Sequence, residues 1–428
     1  MTERRGSAVA LVLVLLSVAA ACDDGPQGEV TRIIVMVSGD PEEIEAYRAV
    51  ITAFDRSQTG IDAELLPFAD RDDLIVRLST SIAGGEPPDL FLMNYRSYGQ
   101  FAARDALEPV DAYLEGSEAF SAGDFFASAL APFRWEGRQI CLPQNVSSLV
   151  VYYNADRFAD AGLPLPAEGW TWDDMVRSAR ALTSDDDGDG TTDVYGLGVD
   201  PEIIRLAPII WSNGGTLVDD EAAPTRFDFD AAAVTAMQRF IDLRSLHEVT
   251  PTDEEAESED LESRFLNDRL GMLMESRRVV PTLRTISSFG WDVAPFPNLR
   301  EPVSVLHSDA YCITAGSDAK DASWRFIEFA LGPVGQRITA GAGRTVPSLR
   351  SVAGSDAFLD PAALPRHSEV FLDQIPRLRS VPVISTWPEI EDVANGIIEE
   401  AYYLGGAALE VAVELTLQTR ELFRRAER

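Results

Sequence analysis

Basic side chains are scarce in this 428-residue chain, and lysine is almost absent, with Lys320 as its single example. Lysine and arginine together number 36 against 70 aspartates and glutamates, which gives a net charge of −34. Proteins that bind nucleic acid neutralise phosphates with cationic side chains, so this balance argues against nucleic acid as a partner. It equally argues against docking on anionic lipid, and we expect the acidity to serve solubility.

Histidine is also scarce, and the common catalytic motifs are absent from the sequence. His247, His307 and His367 are the only histidines, and neither His-x-x-x-His nor Cys-x-x-Cys occurs, so a zinc site lacks ligands. The chain has no Gly-x-Ser-x-Gly elbow, and Lys320 begins a predicted helix rather than belonging to a phosphate-binding loop. A glycoside hydrolase stays open as a remote alternative, because the many acidic residues can supply a pair of carboxylates.

Long hydrophobic runs are missing as well. The run at Ala8–Ala21 has 14 residues, too short to span a bilayer, and two arginines precede it. This pattern predicts a signal peptide over 1–21. The residues Ala19-Ala20-Ala21-Cys22 resemble a bacterial lipobox, so we expect cleavage before Cys22, lipid on its thiol and a flexible tether over 22–29. The alternative is an ordinary secretory signal in which Cys22 is incidental.

The N-terminal part of the mature chain alternates between strand-like and helix-like segments. About 400 residues predict two or more domains, each with its own core. Strands are predicted at Val30–Met36, Ile61–Pro67 and Pro87–Met93, with helices at Glu42–Gln58 and Asp70–Ala83 between them. An order of β-α-β-α-β is typical of an α/β fold with a parallel sheet.

The segment Gly137–Thr183 continues this alternation and carries more distinctive sequence motifs. A buried strand is predicted at Leu149–Tyr153, followed by a helix at Asp156–Ala161. Thr171 is placed to cap a second helix, Trp172–Leu182, whose first turn carries two aspartates that the helix dipole favours.

The short sequence motifs of this segment resemble those of a known family. Leu-Pro, Tyr-Tyr-Asn, Asp-x-Phe, Ala-Gly-Leu, Trp-Thr-Trp-Asp and Ala-x-x-Leu-Thr, in that order, resemble the carbohydrate-type extracellular solute-binding proteins of ABC importers, the maltodextrin-binding relatives. Further similar stretches extend the resemblance over residues 30–425: Ile209–Leu217, Phe265–Met274, Phe289–Pro297, His307–Gly316 and Ala342–Leu349.

The resemblance implies an α/β, two-lobed periplasmic-binding-protein fold of class II type. Each lobe is then expected to be a mostly parallel sheet flanked by helices, with the ligand cleft between the lobes. Lobe one is expected at 30–142 plus 308–360, and lobe two at 146–304 plus 366–428, with crossings near Gln144, Val305 and Leu364. Such a protein is not an enzyme: it captures a carbohydrate by hinge closure and delivers it to the transmembrane subunits of an ABC permease.

The resemblance also implies a location and rival functions. We expect an extracytoplasmic monomer that touches the cytoplasmic membrane only through its lipid anchor. One rival is a lipoprotein that senses the ligand without transporting it. Another is a binding protein for an anionic ligand, such as glycerol phosphate or a uronic acid.

Alignment of motifs with the family implies a set of ligand-binding residues in the cleft. Aromatic rings stack on the apolar faces of sugars, while amides, carboxylates and guanidinium groups bind the hydroxyls. The predicted residues are Asn94, Tyr95, Arg96, Asn145, Ser147, Trp211, Arg277, Arg278, Asp309, Arg344 and Trp387. Among these, Trp387 is the favoured stacking residue because Thr386 and Pro388 place it in a loop, whereas the apolar surroundings of Trp211 also suit a core position.

Arg277 and Arg278 stand where many relatives have a tryptophan. One interpretation places a guanidinium in the cleft, where it suits a carboxylate, a phosphate or adjacent hydroxyls. The other places both on the surface, paired with carboxylates. Neighbouring residues of an extended segment point in opposite directions, so at most one of them is expected to face the ligand.

Two cysteines remain after Cys22. Cys141 and Cys312 lie in strand-like runs, and in the family these segments lie near the crossings between lobes. An oxidising compartment permits a disulfide between them. Two free buried thiols are the alternative.

One acidic loop resembles part of a calcium-binding loop. Asp185, Asp187, Asp189, Thr191 and Asp193 occupy positions 1, 3, 5, 7 and 9, but position 12 is Gly196 rather than a glutamate. A structural calcium ion is one interpretation, and a solvated acidic turn is the other. No other cofactor is expected.

Overall fold

The computed structural model describes residues 30–426. The predicted signal peptide, the tether and the lipidation site Cys22 lie outside the described residues and stay predictions. Within the described part, no helix is long and apolar enough to cross a membrane.

Strands and helices alternate along the described chain. The strands are β1 Thr31–Ser38, β2 Ile61–Phe68, β3 Leu90–Asn94, β4 Arg134–Trp135, β5 Arg138–Gln139, β6 Cys141–Pro143, β7 Ser147–Ser148, β8 Val150–Asn154, β9 Met272–Glu275, β10 Trp291–Pro295, β11 Ser304–His307, β12 Asp309–Ile313 and β13 Leu378–Arg379.

The helices are mostly short and lie between the strands or after them. They are α1 Pro41–Ser57, α2 Arg71–Gly84, α3 Tyr95–Ala102, α4 Asp111–Gly116, α5 Ala127–Leu130, α6 Ala155–Asp160, α7 Trp172–Leu182, α8 Ile203–Ser212, α9 Ala231–Ser245, α10 Asp253–Ser258, α11 Leu261–Leu266, α12 Val280–Leu283, α13 Lys320–Leu331, α14 Pro333–Gly341, α15 Arg350–Ala353, α16 Glu369–Gln374, α17 Trp387–Leu404, α18 Ala408–Gln418 and α19 Arg420–Arg425.

The first sheet has the order β2-β1-β3-β12-β6. Strand β1 pairs in parallel with β2 and β3, while β12 is antiparallel to both β3 and β6, so four of the five strands run in one direction. The side chains of Asp40, Asp70 and Asn94 cap helices α1, α2 and α3 directly after strands or short turns. The predicted β-α-β-α-β opening is therefore confirmed, and the residues that end β1 and β3 meet at one edge of the sheet.

The second sheet, β10-β8-β9, differs from the expected mostly parallel arrangement. Both neighbours pair with β8 antiparallel. Around this sheet, parallel pairing among the described residues occurs as isolated bridges: Tyr195 to Leu270, Gly198 to Leu273 and Thr171 to Asn298. A continuous apolar run predicts a buried strand but contains no information about its direction, which explains the error. The α/β class and the predicted helix cap Thr171 are confirmed, and the side chain of Asn154 caps α6.

A small third sheet, β13-β11-β7, lies where the chain passes between the two larger ones. Strands β6, β7 and β8 follow one another within residues 141–154 yet belong to three different sheets, and β11 leads into β12 through Ser308. We call this third sheet the crossing sheet, and we call the parts built on the first and second sheets the first and second lobes. The residue boundaries given above for the lobes stay a prediction.

Cys141 and Cys312 are joined by a disulfide in the structure. They lie directly opposite each other on the antiparallel strands β6 and β12, with their Cα atoms 4.4 Å apart. Close approach of this kind is typical of a non-hydrogen-bonded antiparallel pair. The bond joins the strand before the first crossing to the strand after the second.

Candidate ligand-binding site

A cavity of about 210 Å³ lies between the lobes, beside the crossing sheet. The first lobe contributes residues that follow β1 and β3, together with the starts of α2 and β12. The second lobe contributes the start of α8 and the end of β9. The lining residues are Ser38, Glu43, Arg71, Leu74, Leu92, Met93, Asn94, Arg96, Asn145, Ser147, Glu202, Ile204, Arg205, Glu275, Ser276, Arg278, His307, Asp309, Arg344 and Thr345.

Two amides hold the carboxylate of Asp309 in place beside the crossings. The side-chain N–H groups of Asn94 and Asn145 donate to its two oxygens at 3.3 and 3.2 Å. The side-chain carbonyl of Asn145 in turn accepts the backbone N–H of Asp309 at 3.1 Å. These contacts leave Asp309 without a charged partner among the described residues, so its remaining lone pairs are available to a ligand hydroxyl.

The floor of the cavity in the second lobe is an ion-pair network around Glu275. Arg205 and Arg278 both donate to the same carboxylate oxygen, at 2.5 and 3.0 Å, and the backbone N–H of Ser276 donates to the other oxygen. Burial alone would raise the pKa of Glu275, but the two guanidinium groups hold it well below its usual range. The network therefore stays ionised while its net charge stays small.

The opposite end of the cavity is closed by Arg344, which bridges the lobes. Its guanidinium pairs with Asp40 and, at 2.7 Å, with Glu43 in the first lobe, and it donates to the backbone carbonyl of Arg278 in the second. Burial raises the pKa of Glu43 to about 7, although Arg344 and the Tyr47 hydroxyl lower it. Whether ionised or protonated, Glu43 presents hydrogen-bonding oxygens beside the cavity.

Three buried polar atoms on the wall have no hydrogen-bond partner among the described residues. They are Nε2 of His307, the hydroxyl oxygen of Thr345 and Nε of Arg205. Burial, together with the nearby Arg205 and Arg96, lowers the pKa of His307 well below its usual value, so its ring is neutral and offers one donor and one acceptor. A buried polar group without a partner is costly, which indicates that a ligand completes these contacts.

The structure brings together seven of the eleven residues predicted from the sequence. They line the cavity: Asn94, Arg96, Asn145, Ser147, Arg278, Asp309 and Arg344. Their roles in binding stay predictions. The other four lie elsewhere.

Both tryptophans lie away from the cavity, which corrects the predicted stacking role of Trp387. Trp387 is fully buried at the first position of α17, edge-on to Phe227, because Pro388 starts a helix there instead of belonging to a loop. Trp211 is buried on α8 beneath the guanidinium of Arg379, 4.7 Å from its ring, and borders a different cavity of about 730 Å³. Of the two positions considered for Trp211, facing the ligand or in the core, the structure shows the buried one.

Arg277 and Tyr95 also lie in the interior, away from the cavity. The guanidinium of Arg277 lies 4.3 Å from the ring of Phe358 and donates to the carbonyl of Gly343, and burial lowers its pKa to about 9. Tyr95 begins α3, and its hydroxyl accepts the backbone N–H of Val381. Only Arg278 of the two neighbours reaches the cavity, but the two residues lie in a single 3₁₀ turn, Arg277–Val279, and not in the extended segment that the prediction assumed.

Sequence reasoning missed several cavity residues. Glu43 looked like an ordinary acidic residue in the first turn of a helix, and Arg205 and Glu275 looked unrelated because 70 positions separate them. His307 gave one available signal: it is a polar residue in a strand that crosses between lobes.

The acidic loop is partly arranged as a metal site. Oxygen atoms of Asp185, Asp187 and Asp193 lie within 4.8 Å of one another, whereas Asp189 lies outside this group. The carboxylates also bind loop N–H groups, as in the bonds from Gly188 and Gly190 to Asp185. Three carboxylates fit part of a calcium ligand set, and calcium binding, with the carbonyl of Thr191 as a further ligand, stays a prediction.

Comparison with known proteins identifies the family. The family model described as bacterial extracellular solute-binding protein matches residues 39–337, well over half of the chain. The chain belongs to this family. A binding protein of Brucella abortus is 23% identical over 409 residues, covering 91% of this chain and 92% of the relative.

Solved structures of the same architecture include proteins crystallised with sugars. An ABC substrate-binding protein of Listeria monocytogenes in complex with cycloalternan superposes with a TM-score of 0.83 at 21% identity, covering 92% of this chain and 99% of the other. A solute-binding protein of Thermotoga lettingae bound with α-D-tagatose superposes with a TM-score of 0.77 at 19% identity, covering 92% and 100%. These similarities confirm the predicted class of two-lobed fold.

Proposed function

We propose that this solute-binding protein captures a neutral carbohydrate in the interlobe cavity and delivers it to an ABC permease. The observation that supports the proposal most directly is the wall of the cavity, where carboxylates, guanidinium groups, amides and hydroxyls from both lobes converge. Sugar hydroxyls both donate and accept hydrogen bonds, so such a mixed wall suits them. The two structural relatives bound to sugars support the same ligand class.

The pairing of charges favours a neutral ligand over an anionic one. Of the five arginines on the wall, Arg96, Arg205, Arg278 and Arg344 all form ion pairs with carboxylates of this chain. The lining also includes four carboxylates, and four more stand behind it as partners of these arginines: Asp40, Asp200, Glu262 and Glu391. The carboxylates around the cavity therefore outnumber the guanidinium groups, and an anion would gain little there.

Delivery rests on closure of the lobes over the ligand. In the structure Arg96 on α3 pairs with Glu391 on α17, and Arg344 binds the carbonyl of Arg278. The helices α8, α9 and α18 of the second lobe pack on α17, so the Arg96–Glu391 pair joins the lobes. The bond from Arg344 to the carbonyl of Arg278 joins them a second time. A ligand that touches both walls stabilises this closed arrangement, which a permease can distinguish from the open one.

The ligand class is tested by thermal unfolding against a matched panel of neutral sugars, uronic acids and glycerol phosphates. A ligand at 100 times its Kd raises the free energy of unfolding by about 2.7 kcal/mol, so we expect a clear rise in Tm with a neutral sugar. The bound sugar should be recovered unchanged, because the proposal is capture without turnover. A rise with anionic compounds alone, lost in Arg278→Ala, would contradict the neutral ligand.

Attachment through Cys22 is a separate part of the proposal. We expect the protein to fractionate with membranes, and Cys22→Ser to leave it unprocessed or to release it. Mass spectrometry of the mature N-terminus is the direct measurement, with Cys22→Ser as the matched control. Unmodified mature protein in the soluble fraction of cells that express the wild type would show that Cys22 carries no lipid.

A further inference from the structure

The cavity is small for a site between two lobes, and its size specifies the ligand class further. Sites for drug-sized ligands occupy about 300–1,000 Å³, and an engineered cavity of about 150 Å³ accommodates a single benzene ring. With about 210 Å³, the cavity has room for one hydroxylated six-membered ring. Resting on the proposed function, we infer that the ligand enclosed at closure is a single monosaccharide or an alditol of similar size, and not an oligosaccharide.

Contacts between the lobes close the cavity at two ends. At one end Arg96 pairs with Glu391, and next to it the hydroxyl of Tyr95 accepts the N–H of Val381. At the other end Arg344 binds the first lobe through Glu43 and the second through the carbonyl of Arg278. A second sugar ring would have to displace one of these contacts, and each holds a charged or polar group that is largely buried.

The composition of the wall leads to the same conclusion. No tryptophan, tyrosine or phenylalanine is among the lining residues that the structure describes. Successive rings of an oligosaccharide present apolar faces that aromatic side chains cover, whereas one ring can be held by hydrogen bonds to its edge. Of the tryptophans expected to supply such a surface, Trp387 is packed in the interior, and Trp211 borders the separate cavity of about 730 Å³.

Open hydrogen-bonding capacity surrounds one small volume. His307 on the crossing sheet and Thr345 in the loop after α14 have buried polar atoms without a partner among the described residues, and Asp309 at the start of β12 has lone pairs beyond those that its two amide partners use. Each of the three can bind one hydroxyl, and they come from three separate segments of the chain. A compact molecule with hydroxyls on all its edges satisfies them together.

Isothermal titration calorimetry with ligands of increasing size tests the inference. The series runs from alditols, pentoses and hexoses to disaccharides and linear trisaccharides built from the same hexoses. We expect at least one monosaccharide or alditol to bind and its disaccharides to bind at least 100-fold more weakly. Equal or tighter binding of the longer sugars would overturn the inference while leaving the proposed function intact. If no sugar of any length binds, the proposed function itself fails.

A variant of the cavity wall gives an independent readout. Leu92 lines the cavity from β3, and Leu92→Ala enlarges it, so we expect weaker monosaccharide binding and a smaller penalty for a second ring. Leu90 lies two positions earlier on the same face of the strand and is buried away from the cavity, so Leu90→Ala removes the same atoms elsewhere. The control should keep the wild-type ratio of affinities, and an unchanged ratio in Leu92→Ala would contradict the size limit.

Discussion

Loss of the Cys141–Cys312 disulfide is expected to lower the free energy of unfolding by about 2–5 kcal/mol. The two cysteines are 171 positions apart, and a cross-link that closes so long a loop removes much of the entropy of the unfolded chain. The measurement is chemical denaturation of the wild type with and without reductant, and of the double variant Cys141→Ala/Cys312→Ala. Alanine is chosen because both sites are fully buried and a serine hydroxyl would lack a partner there.

The double variant also serves as its own control. Reductant should lower the midpoint of unfolding of the wild type and leave the variant unchanged. If reductant changes neither protein and the two are equally stable, the bond does not form in the folded protein. Ligand affinity should change little, because both cysteines lie within the sheet of the first lobe and neither lines the cavity.

Substitution of Glu275 is expected to have a comparable effect on stability and also to abolish ligand binding. Glu275→Ala removes the close partner of the buried Arg205 guanidinium and leaves it, among the described residues, only Asp200 at 4.0 Å; breaking a buried ion pair in this way costs about 3–5 kcal/mol. The floor of the cavity also loses an acceptor for ligand hydroxyls. Arg177→Ala is the matched control: its pair with Asp174 is exposed, so the loss should stay under about 1 kcal/mol.

The pH dependence of stability provides a second measurement on Glu275. Its pKa in the folded protein lies below the ordinary value of 4.5, so its stabilisation is complete above that pH and is lost as the pH falls towards the folded pKa. Below pH 4.5 we therefore expect the free energy of unfolding to fall less steeply with decreasing pH in Glu275→Gln than in the wild type. Parallel curves for the two proteins below that pH would show that Glu275 is not held ionised by Arg205 and Arg278.

Much of the candidate site was predictable because the family motifs place polar residues directly after strands. Asn94, Asn145 and Asp309 follow or begin strands at the edge where the sheet meets the crossings, and they line the cavity as expected. The prediction failed where it depended on which way a large side chain turns. Trp387 and Arg277 pack in the interior because helix α17 and the rings of Phe358 and Phe371 enclose them there.

The sequence by itself determined the features that depend on neighbouring residues. Hydrophobic periodicity and the capping residues Asp40, Asp70 and Thr171 are local, so the opening β-α-β-α-β unit and the helices could be predicted from them. The order of the motifs likewise indicated the family. Only the tertiary structure decided the antiparallel second sheet, the pairing of Cys141 with Cys312, and the ion pair of Arg205 with Glu275. Each of these features joins residues that are far apart in the chain. The free energy that favours them comes from burial and charge pairing in the folded protein, and neither can be predicted from neighbouring residues alone.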